Sequence, residues 1–137
     1  MVLRIVRLGT PRAADEGLRI GTVRRPPRGV PKAEFATRDW YDVWYPNLAP
    51  SVETMKLAQQ AQQSQDPAEW QAFVKRYRAE MSTHDNSHSL DLLAALSQRT
   101  NFSVGCYCAD ESHCHRSVLR TLLQEHGAEI EPVQART

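Results

Sequence analysis

The chain has 137 residues, of which 24% are charged and 41% hydrophobic, and its formal net charge is +1. These values are typical of one globular domain, which we predict over residues 1–137 with a polar tail from about residue 133. They exclude a membrane helix, because no apolar run approaches the roughly 18–20 residues that such a helix needs. They also give little support to a surface for a bulk polyanion, since the whole chain is nearly neutral.

The charge is nevertheless unevenly distributed along the chain. Residues 1–40 contain nine Arg and Lys against four Asp and Glu, whereas residues 41–137 contain eight against twelve. Eight of the nine N-terminal cations are Arg, whose guanidinium forms paired hydrogen bonds with phosphate and carboxylate groups. The pattern indicates either a local anion site or a solvated basic face.

Two strands separated by loops are predicted at the start of the chain. Residues 3–8 and 18–23 are short, largely apolar and rich in β-branched side chains. Residues 24–31 contain three arginines and three prolines, so they form a stiff loop beyond the carboxyl end of a strand. Open α/β sheets bind their ligands at that end. A helical turn at residues 32–37 follows.

Residues 38–50 contain two Trp and two Tyr and are broken by proline. They form either a stacking surface for bases or an irregular segment that covers one face of the sheet. Exposure of Trp40 and Trp44 beside the arginine loop favours the first alternative, and their burial favours the second. The stretch from Trp40 to Tyr45 is also the candidate surface of a non-enzymatic interaction or regulatory module.

Three helices are predicted next, at residues 52–63, 67–81 and 90–98. The second is the clearest, because an Asp-Pro start signal precedes a single apolar stripe. The polar stretch before the third helix is predicted to be a loop, so His84 and His88 are not expected to form a pair of ligands.

A strand at residues 102–108, a polar turn, a helix from about 113 to 126 and a short strand at 129–133 complete the chain. The order of strands and helices predicts an α/β fold: a single domain whose mostly parallel central sheet of about four strands is flanked by helices.

The turn before the last helix is the candidate site. All three cysteines and two of the five histidines lie within residues 106–115. The free N–H groups and the positive dipole end of a helix favour an anion and lower the pKa of a nearby thiol. Ser112 or Asp110 is predicted to cap this helix, with Cys114 and His115 in its first turn.

Four interpretations of the turn are open. In the first, an anion is bound by the helix N–H groups and by polar side chains of the turn and the arginine loop, namely Arg24, Arg28, Ser112 and Arg116. In the second, zinc is bound by the three thiols and one imidazole, namely Cys106, Cys108, Cys114 and His115 or His113. In the third, Cys114 is a nucleophile. In the fourth, Cys106 and Cys108 are small core residues, and the turn only caps the helix.

Several short motifs are spread over nearly the whole chain. The main ones are Gly17-Leu18-Arg19-Ile20, Pro27-Arg28-Gly29-Val30-Pro31-Lys32, Leu48-Ala49-Pro50-Ser51, Arg76-Tyr77 with Glu80, and Cys114-His115-Arg116-Ser117. Together they resemble the DUF488 family of small proteins, in its YeaO-like branch. The resemblance implies an α/β fold with a central sheet and implies no activity. Two positions depart from the family pattern: Val23 stands where relatives carry Asp, and Pro26 stands where they carry Trp.

The sequence therefore predicts binding of a phosphate-bearing small molecule or a nucleic-acid end. The predicted chemistry is hydrolysis or transfer, with His115 as acid or base and the arginines as charge stabilisers. The alternatives are an interaction module and a structural or regulatory zinc or thiol site. No cofactor and no membrane partner are predicted. The odd number of cysteines indicates reduced thiols and hence a cytoplasmic protein.

Overall fold

A computed structural model describes residues 1–132 of the chain. Four strands form one sheet in the spatial order β1-β4-β2-β3, and every pair of neighbours is parallel. Their bounds are Leu3–Arg7 for β1, Leu18–Gly21 for β2, Val43–Trp44 for β3 and Phe102–Cys106 for β4. The predicted α/β fold, with a single domain and a parallel sheet of about four strands, is confirmed.

Over the described residues, four α-helices flank this sheet. Their bounds are Val52–Ser64 for α1, Pro67–Met81 for α2, His84–Ser97 for α3 and His115–Glu125 for α4. Helix α2 begins and ends at the predicted residues. Its start is capped by Asp66, whose carboxylate accepts a hydrogen bond from the Ala68 N–H at 2.9 Å. No helix within residues 1–132 is long and apolar enough to cross a membrane.

Helix α3 begins at His84, well before the predicted start at residue 90. The Thr83 side chain accepts a hydrogen bond from the Asn86 N–H and so caps the helix where the sequence predicted a loop. His84 and His88 therefore share one helix face, and their ring centroids lie 4.2 Å apart. Both side chains are exposed.

The aromatic segment contains a strand that the sequence did not predict. Val43 and Trp44 pair with Ile20 and Gly21 and make β3 the edge of the sheet. Two residues among prolines and aromatic side chains are too few to show a strand periodicity. Of the predicted strand at 129–133, Ile130 forms a single parallel bridge with Leu3. Residue 133 and the predicted polar tail lie outside the described residues.

The main core lies between the sheet and helices α2 and α4. The predicted stripe of α2 faces it: Phe73, Tyr77 and Met81 are buried, and Trp70 and Val74 are partly buried. The sheet contributes buried side chains from the edge strand β1 and from the central strands β2 and β4, namely Leu3, Ile20, Phe102 and Val104. On β4, a Cβ at Gly105 would lie 2.6 Å from the Val6 carbonyl oxygen of β1. The glycine therefore allows close packing of strands β1 and β4.

A buried ion pair fixes the loops around β2. Arg19 is fully buried, and its guanidinium lies 2.7 Å and 2.9 Å from the two carboxylate oxygens of Glu16. Ser103 on β4 donates to the same carboxylate at 2.7 Å. Burial raises the pKa of Glu16, but its bonds with Arg19 and Ser103 lower it more, so the carboxylate stays charged. This network holds β2 beside β4 and so positions the loop that follows β2.

Candidate functional site

The candidate site lies beyond the carboxyl ends of β2 and β4, which are neighbours in the sheet. Strand β4 ends at Cys106, two residues earlier than predicted, so Cys108 belongs to the turn. Helix α4 begins at His115 with Cys114 as its N-cap residue, so the predicted cap by Ser112 or Asp110 is wrong. The Asp110 carboxylate accepts from the Ser112 N–H and caps the short 3-10 turn at Glu111–His113 instead.

Cys106, Cys114 and His115 form a compact group that we call the thiol–imidazole cluster. The two sulfur atoms lie 2.8 Å apart, and the Cys114 sulfur lies 3.6 Å from His115 Nδ1. The exposed fractions of the three residues are 1%, 2% and 5%. The strand end and the helix start come together because the intervening turn folds back on itself, a geometry that residue spacing alone does not show.

The orientation of His115 is set from the back of the site. Its Nε2 lies 2.9 Å from the Thr22 carbonyl oxygen, which can only accept, so Nε2 carries the proton. The lone pair of Nδ1 therefore faces the Cys114 sulfur. Burial lowers the pKa of His115 to about 4, so the imidazole is neutral near pH 7.

The three thiols of the site differ in the direction of their pKa shifts, and only that of Cys108 is lowered. Hydrogen bonds from Cys106 and Cys114 lower the pKa of the Cys108 thiol well below its ordinary value, and Arg116 adds to the effect. Burial raises the pKa of Cys106. For Cys114, the bond with Cys106 lowers the pKa, but the bond with Cys108 and burial raise it more. Cys108 is the one half-buried thiol of the three.

Arg116 turns inward from the first turn of α4. Its exposed fraction is 4%, and its Nη2 donates to the Cys108 carbonyl oxygen at 2.6 Å. Its Nε is buried and has no hydrogen-bond partner among residues 1–132. No carboxylate in that part of the chain forms an ion pair with it, and its charge helps to lower the pKa of Cys108.

A cavity of about 370 Å³, which we call the basic pocket, opens over the cluster. Its buried end is formed by Cys106 and His115, with Cys108 beside them. Its exposed rim carries three cations, Arg24, Arg25 and Lys56, together with Gln59. Its remaining walls are apolar or aromatic, formed by Val23, Ala49, Pro50, Val52, Met55 and Tyr107. None of the described residues that line the pocket is acidic.

The structure brings some of the predicted anion-binding residues together and separates others. Arg24 lines the basic pocket, and its guanidinium donates to the carbonyl oxygens of Ala49 and Pro50 at 3.0–3.2 Å. Arg28 is exposed and lines a neighbouring cavity of about 500 Å³. Ser112 is exposed and donates to the Asp110 carboxylate at 2.7 Å, away from the basic pocket.

Sequence reasoning missed several residues of the pocket. Arg25 follows Arg24 in the arginine loop but was not singled out from the other cations. Lys56 and Gln59 lie one turn apart on α1, whose polar face gave no sign of a ligand. The sequence did contain one indication of Lys56. The helix that carries it, α1, directly follows the Leu-Ala-Pro-Ser motif, one of the motifs that carry the family resemblance.

The two tryptophans of the aromatic segment have different environments. Trp44 is 43% exposed, and its Nε1 donates to the Val23 carbonyl oxygen at 2.8 Å. Trp40 is half-buried and contacts the Tyr107 ring edge to face, with centroids 5.8 Å apart. Trp40 and Tyr107 line the neighbouring cavity together with Arg7, Arg25 and Arg28. The segment is thus partly a wall beside the arginine loop and partly core.

A comparison with protein families finds one matching model. The model is described as the active DUF488-N3 subclade, DUF488-N3a, and it matches residues 3–127. The matched range contains all the strands and α-helices of the described chain. No curated protein and no solved structure matches the chain.

Proposed function

Since the chain belongs to the DUF488-N3a family, the active DUF488-N3 subclade, we propose that its basic pocket binds a small phosphate-bearing molecule for a hydrolytic or transfer reaction. One observation carries the proposal. Among residues 1–132, three cations and no acidic residue line a pocket whose buried end holds thiols and a neutral imidazole. The family is described as an active subclade, which supports a reaction in addition to binding.

The electrostatics of the pocket favour an anion. Arg24, Arg25 and Lys56 lie at the rim of a concave surface with apolar walls. Their positive potentials therefore add inside the pocket. Arginine binds phosphate with two parallel hydrogen bonds, and lysine acts as a point charge. The pocket also lies beyond the carboxyl ends of parallel strands, the usual position of ligands in open α/β sheets.

The size of the pocket supports a small ligand. Its volume of about 370 Å³ is near the lower end of the roughly 300–1,000 Å³ of small-molecule sites. Val52 and Met55 give it an apolar wall that suits the ring or sugar of a nucleotide. A phosphorylated nucleic-acid end has the same head group, and the neighbouring cavity with Arg28 and Trp40 would then take the next residue. The apolar wall and the volume favour the small molecule.

The buried end of the pocket limits the chemistry of the proposal. With a pKa of about 4, His115 is neutral near pH 7, so its Nδ1 accepts a proton and does not supply one. This restricts the predicted acid-or-base role to that of a base. Cys108 adds a thiolate that reaches the pocket from the turn. A phosphate bound at the rim would thus face the His115 Nδ1 lone pair and the Cys108 thiolate at the buried end.

The proposal is tested by calorimetric titration with inorganic phosphate, pyrophosphate and 5′-mononucleotides. We expect saturable binding of at least one of them to the wild-type chain. Loss of one charge-assisted hydrogen bond costs roughly 1.5–3 kcal/mol, so Arg25→Ala and Lys56→Gln should each weaken binding by roughly tenfold or more. Lys75→Gln on α2 is the matched control for Lys56→Gln, because both lysines are exposed on neighbouring helices.

Three results would contradict the proposal. The first is the absence of saturable binding for every compound. The second is equal weakening by Lys75→Gln and Lys56→Gln, which would indicate a general charge effect. The third is loss of binding in Arg28→Ala with normal binding in Lys56→Gln, which would move the site to the neighbouring cavity. Much tighter binding of a 5′-phosphorylated oligonucleotide than of a mononucleotide would identify a nucleic-acid end as the ligand.

A further inference from the structure

We propose that the thiol–imidazole cluster binds a soft divalent metal ion of the zinc class. The ligands are Cys106 Sγ, Cys114 Sγ and His115 Nδ1, with the Cys108 sulfur in the fourth position. The site forms the buried end of the basic pocket, but the inference does not require that the pocket bind a phosphate. In the metal-bound chain the His115 Nδ1 lone pair is a ligand, so His115 can act as a base only in the metal-free chain.

The positions of the three buried ligand atoms fit one ion. The two sulfurs and an imidazole nitrogen all lie within 4.8 Å of one another. Zinc binds sulfur at about 2.3 Å and histidine nitrogen at about 2.0–2.1 Å, so ligands of one ion lie at most about 4.6 Å apart. In a tetrahedral site two sulfurs are roughly 3.8 Å apart. The Cys106 and Cys114 sulfurs, now 2.8 Å apart, would therefore separate by about 1 Å.

The imidazole of His115 is already held as a metal-ligating imidazole usually is. The Thr22 carbonyl oxygen accepts the Nε2 proton at 2.9 Å and leaves the Nδ1 lone pair directed at the cluster. In metal sites, a carbonyl or carboxylate commonly holds the second ring nitrogen in this way and fixes the tautomer.

Cys108 supplies the fourth ligand from the turn. Interactions with Cys106 and Cys114 lower the pKa of its thiol, but its sulfur is not one of the three ligand atoms that lie within 4.8 Å of one another, so it would move toward them when the ion binds. It is half-buried and lines the basic pocket. The fourth position therefore faces the cavity, and it is the one that an incoming ligand can reach. Four protein ligands are the number found in structural zinc sites, and Cys108 is the one of the four that faces the cavity.

A second observation, independent of the ligand distances, is the charge of Arg116. This guanidinium is only 4% exposed, its Nε has no partner among residues 1–132, and no carboxylate there forms an ion pair with it. A buried charge of this kind requires a counter-charge. A divalent ion with three thiolates and a neutral imidazole carries a net charge of −1. Arg116, which donates to the Cys108 carbonyl oxygen, lies where it neutralises that charge.

The test is a metal titration of the whole chain, reduced with a phosphine and stripped with a chelator. We expect Co²⁺ to bind with a 1:1 end point and to give the intense visible bands and the thiolate charge-transfer absorption of a tetrahedral sulfur site. Zinc should displace it. X-ray absorption of the zinc form should show sulfur at about 2.3 Å and nitrogen at about 2.0–2.1 Å. The titration contains no phosphate, and Lys56→Gln should bind metal as the wild type does. Failure of metal binding is therefore distinguishable from failure of phosphate binding.

Matched variants assign the ligands. His115→Gln should weaken metal binding by more than the roughly 10–100-fold that loss of an outer hydrogen-bond partner costs. Its control is His113→Gln, because His113 is exposed, is bonded to Asp110 and lies outside the cluster. Cys114→Ser should weaken the charge-transfer band, because two of the three proposed thiolate ligands remain. If that variant fails to fold, Cys108→Ala is compared with the wild-type chain instead. X-ray absorption should then show fewer sulfur ligands in Cys108→Ala than in the wild type.

The proposal is overturned if the reduced, folded wild-type chain binds neither metal at 1:1. It is also overturned if His113→Gln weakens binding as much as His115→Gln does. Isolation of a Cys106–Cys114 disulfide as the stable form of the chain, with no metal binding after its reduction, would equally exclude the site.

Discussion

Cys108 lies between the basic pocket and a second cavity of about 740 Å³ that is lined by Asp66, Trp70 and His113. By alternation along the strand, the sequence placed this residue beside Cys106 in the core. The strand ends at Cys106, however, and the backbone leaves the sheet, so Cys108 is half-buried in the turn. A difference of two residues in the strand boundary thus changes the environment of this thiol from core to cavity wall.

Alkylation kinetics test the assignment of the negative charge to Cys108. In metal-free, reduced protein, we expect iodoacetamide to modify Cys108 first, because it is half-buried while Cys106 and Cys114 are 1% and 2% exposed. An ordinary thiol with a pKa near 8.5 gains about a hundredfold in rate between pH 6 and pH 8. Since the pKa of Cys108 is lowered by its bonds from Cys106 and Cys114, its rate should rise by less than about threefold. Mass spectrometry of the digested protein gives both the site and the rate.

Glutathione serves as the reference thiol in the same samples. Simultaneous modification of all three cysteines, or a rate for Cys108 that follows pH as glutathione does, would contradict the assignment.

At the level of elements, the predicted and observed helices show which signals are reliable. Helix α2 is correct at both ends, because an Asp cap, a proline and a five-residue stripe agree. Helix α3 was predicted too short, since its first turn is polar and exposed and only the Thr83 cap marks its start. Strand β3 was missed because its two residues gain their structure from pairing with β2, not from their own pattern.

Helix α1 forms one wall of the basic pocket, and Glu80 on α2 fixes its start. The Glu80 carboxylate accepts hydrogen bonds from the Ser51 N–H at 3.0 Å, from the Ser51 hydroxyl at 2.6 Å and from the Thr54 hydroxyl at 2.8 Å. Burial raises the pKa of Glu80, but the bonds from Ser51 and Thr54 lower it more. The carboxylate is therefore charged at neutral pH and holds the segment that carries Lys56.

Glu80→Ala should lower the free energy of unfolding by roughly 1–3 kcal/mol, because it leaves a partly buried N–H and two hydroxyls without their acceptor. It should also weaken ligand binding by displacing Lys56. The control is Glu53→Ala, whose carboxylate is 80% exposed and pairs with Arg76, and which should cost no more than about 1 kcal/mol. Urea unfolding measures both changes. The contribution of Glu80 is complete above its ordinary pKa of 4.5 and is lost as the pH falls below that value, so the two variants should converge in acid.

Equal stability of the Glu80→Ala and Glu53→Ala variants at pH 7 would show that Glu80 does not fix the start of α1.

At the level of the whole molecule, six of the eight arginines in residues 1–40 fall into two groups. Arg4, Arg12 and Arg19 form ion pairs that hold loops to the sheet. The arginines of the loop after β2 are exposed, and no ion pair joins them to a carboxylate within residues 1–132. The excess of positive charge seen in the sequence is thus concentrated beside the pocket, although the chain as a whole is almost neutral.

This division explains how much of the site the sequence predicted. Charge, proline content and position after a strand pointed to the arginine loop, and the clustering of Cys and His pointed to the turn before α4. The sequence did not show that Arg28 faces a different cavity from Arg24, because the direction of a side chain in a proline-rich loop depends on its packing. Nor did it show the contact between Cys106 and Cys114, which depends on how the turn folds back.

The most direct test of the central claim is a ¹⁵N–¹H NMR titration of the wild-type chain with pyrophosphate and with adenosine 5′-monophosphate. We expect saturable shifts at the backbone amides of Arg25, Lys56 and Cys108, with the amides of α3 unchanged, because the charged rim and the thiol turn enclose one pocket. The absence of saturable shifts, or shifts confined to the cavity of Arg7, Arg28 and Trp40, would contradict the account.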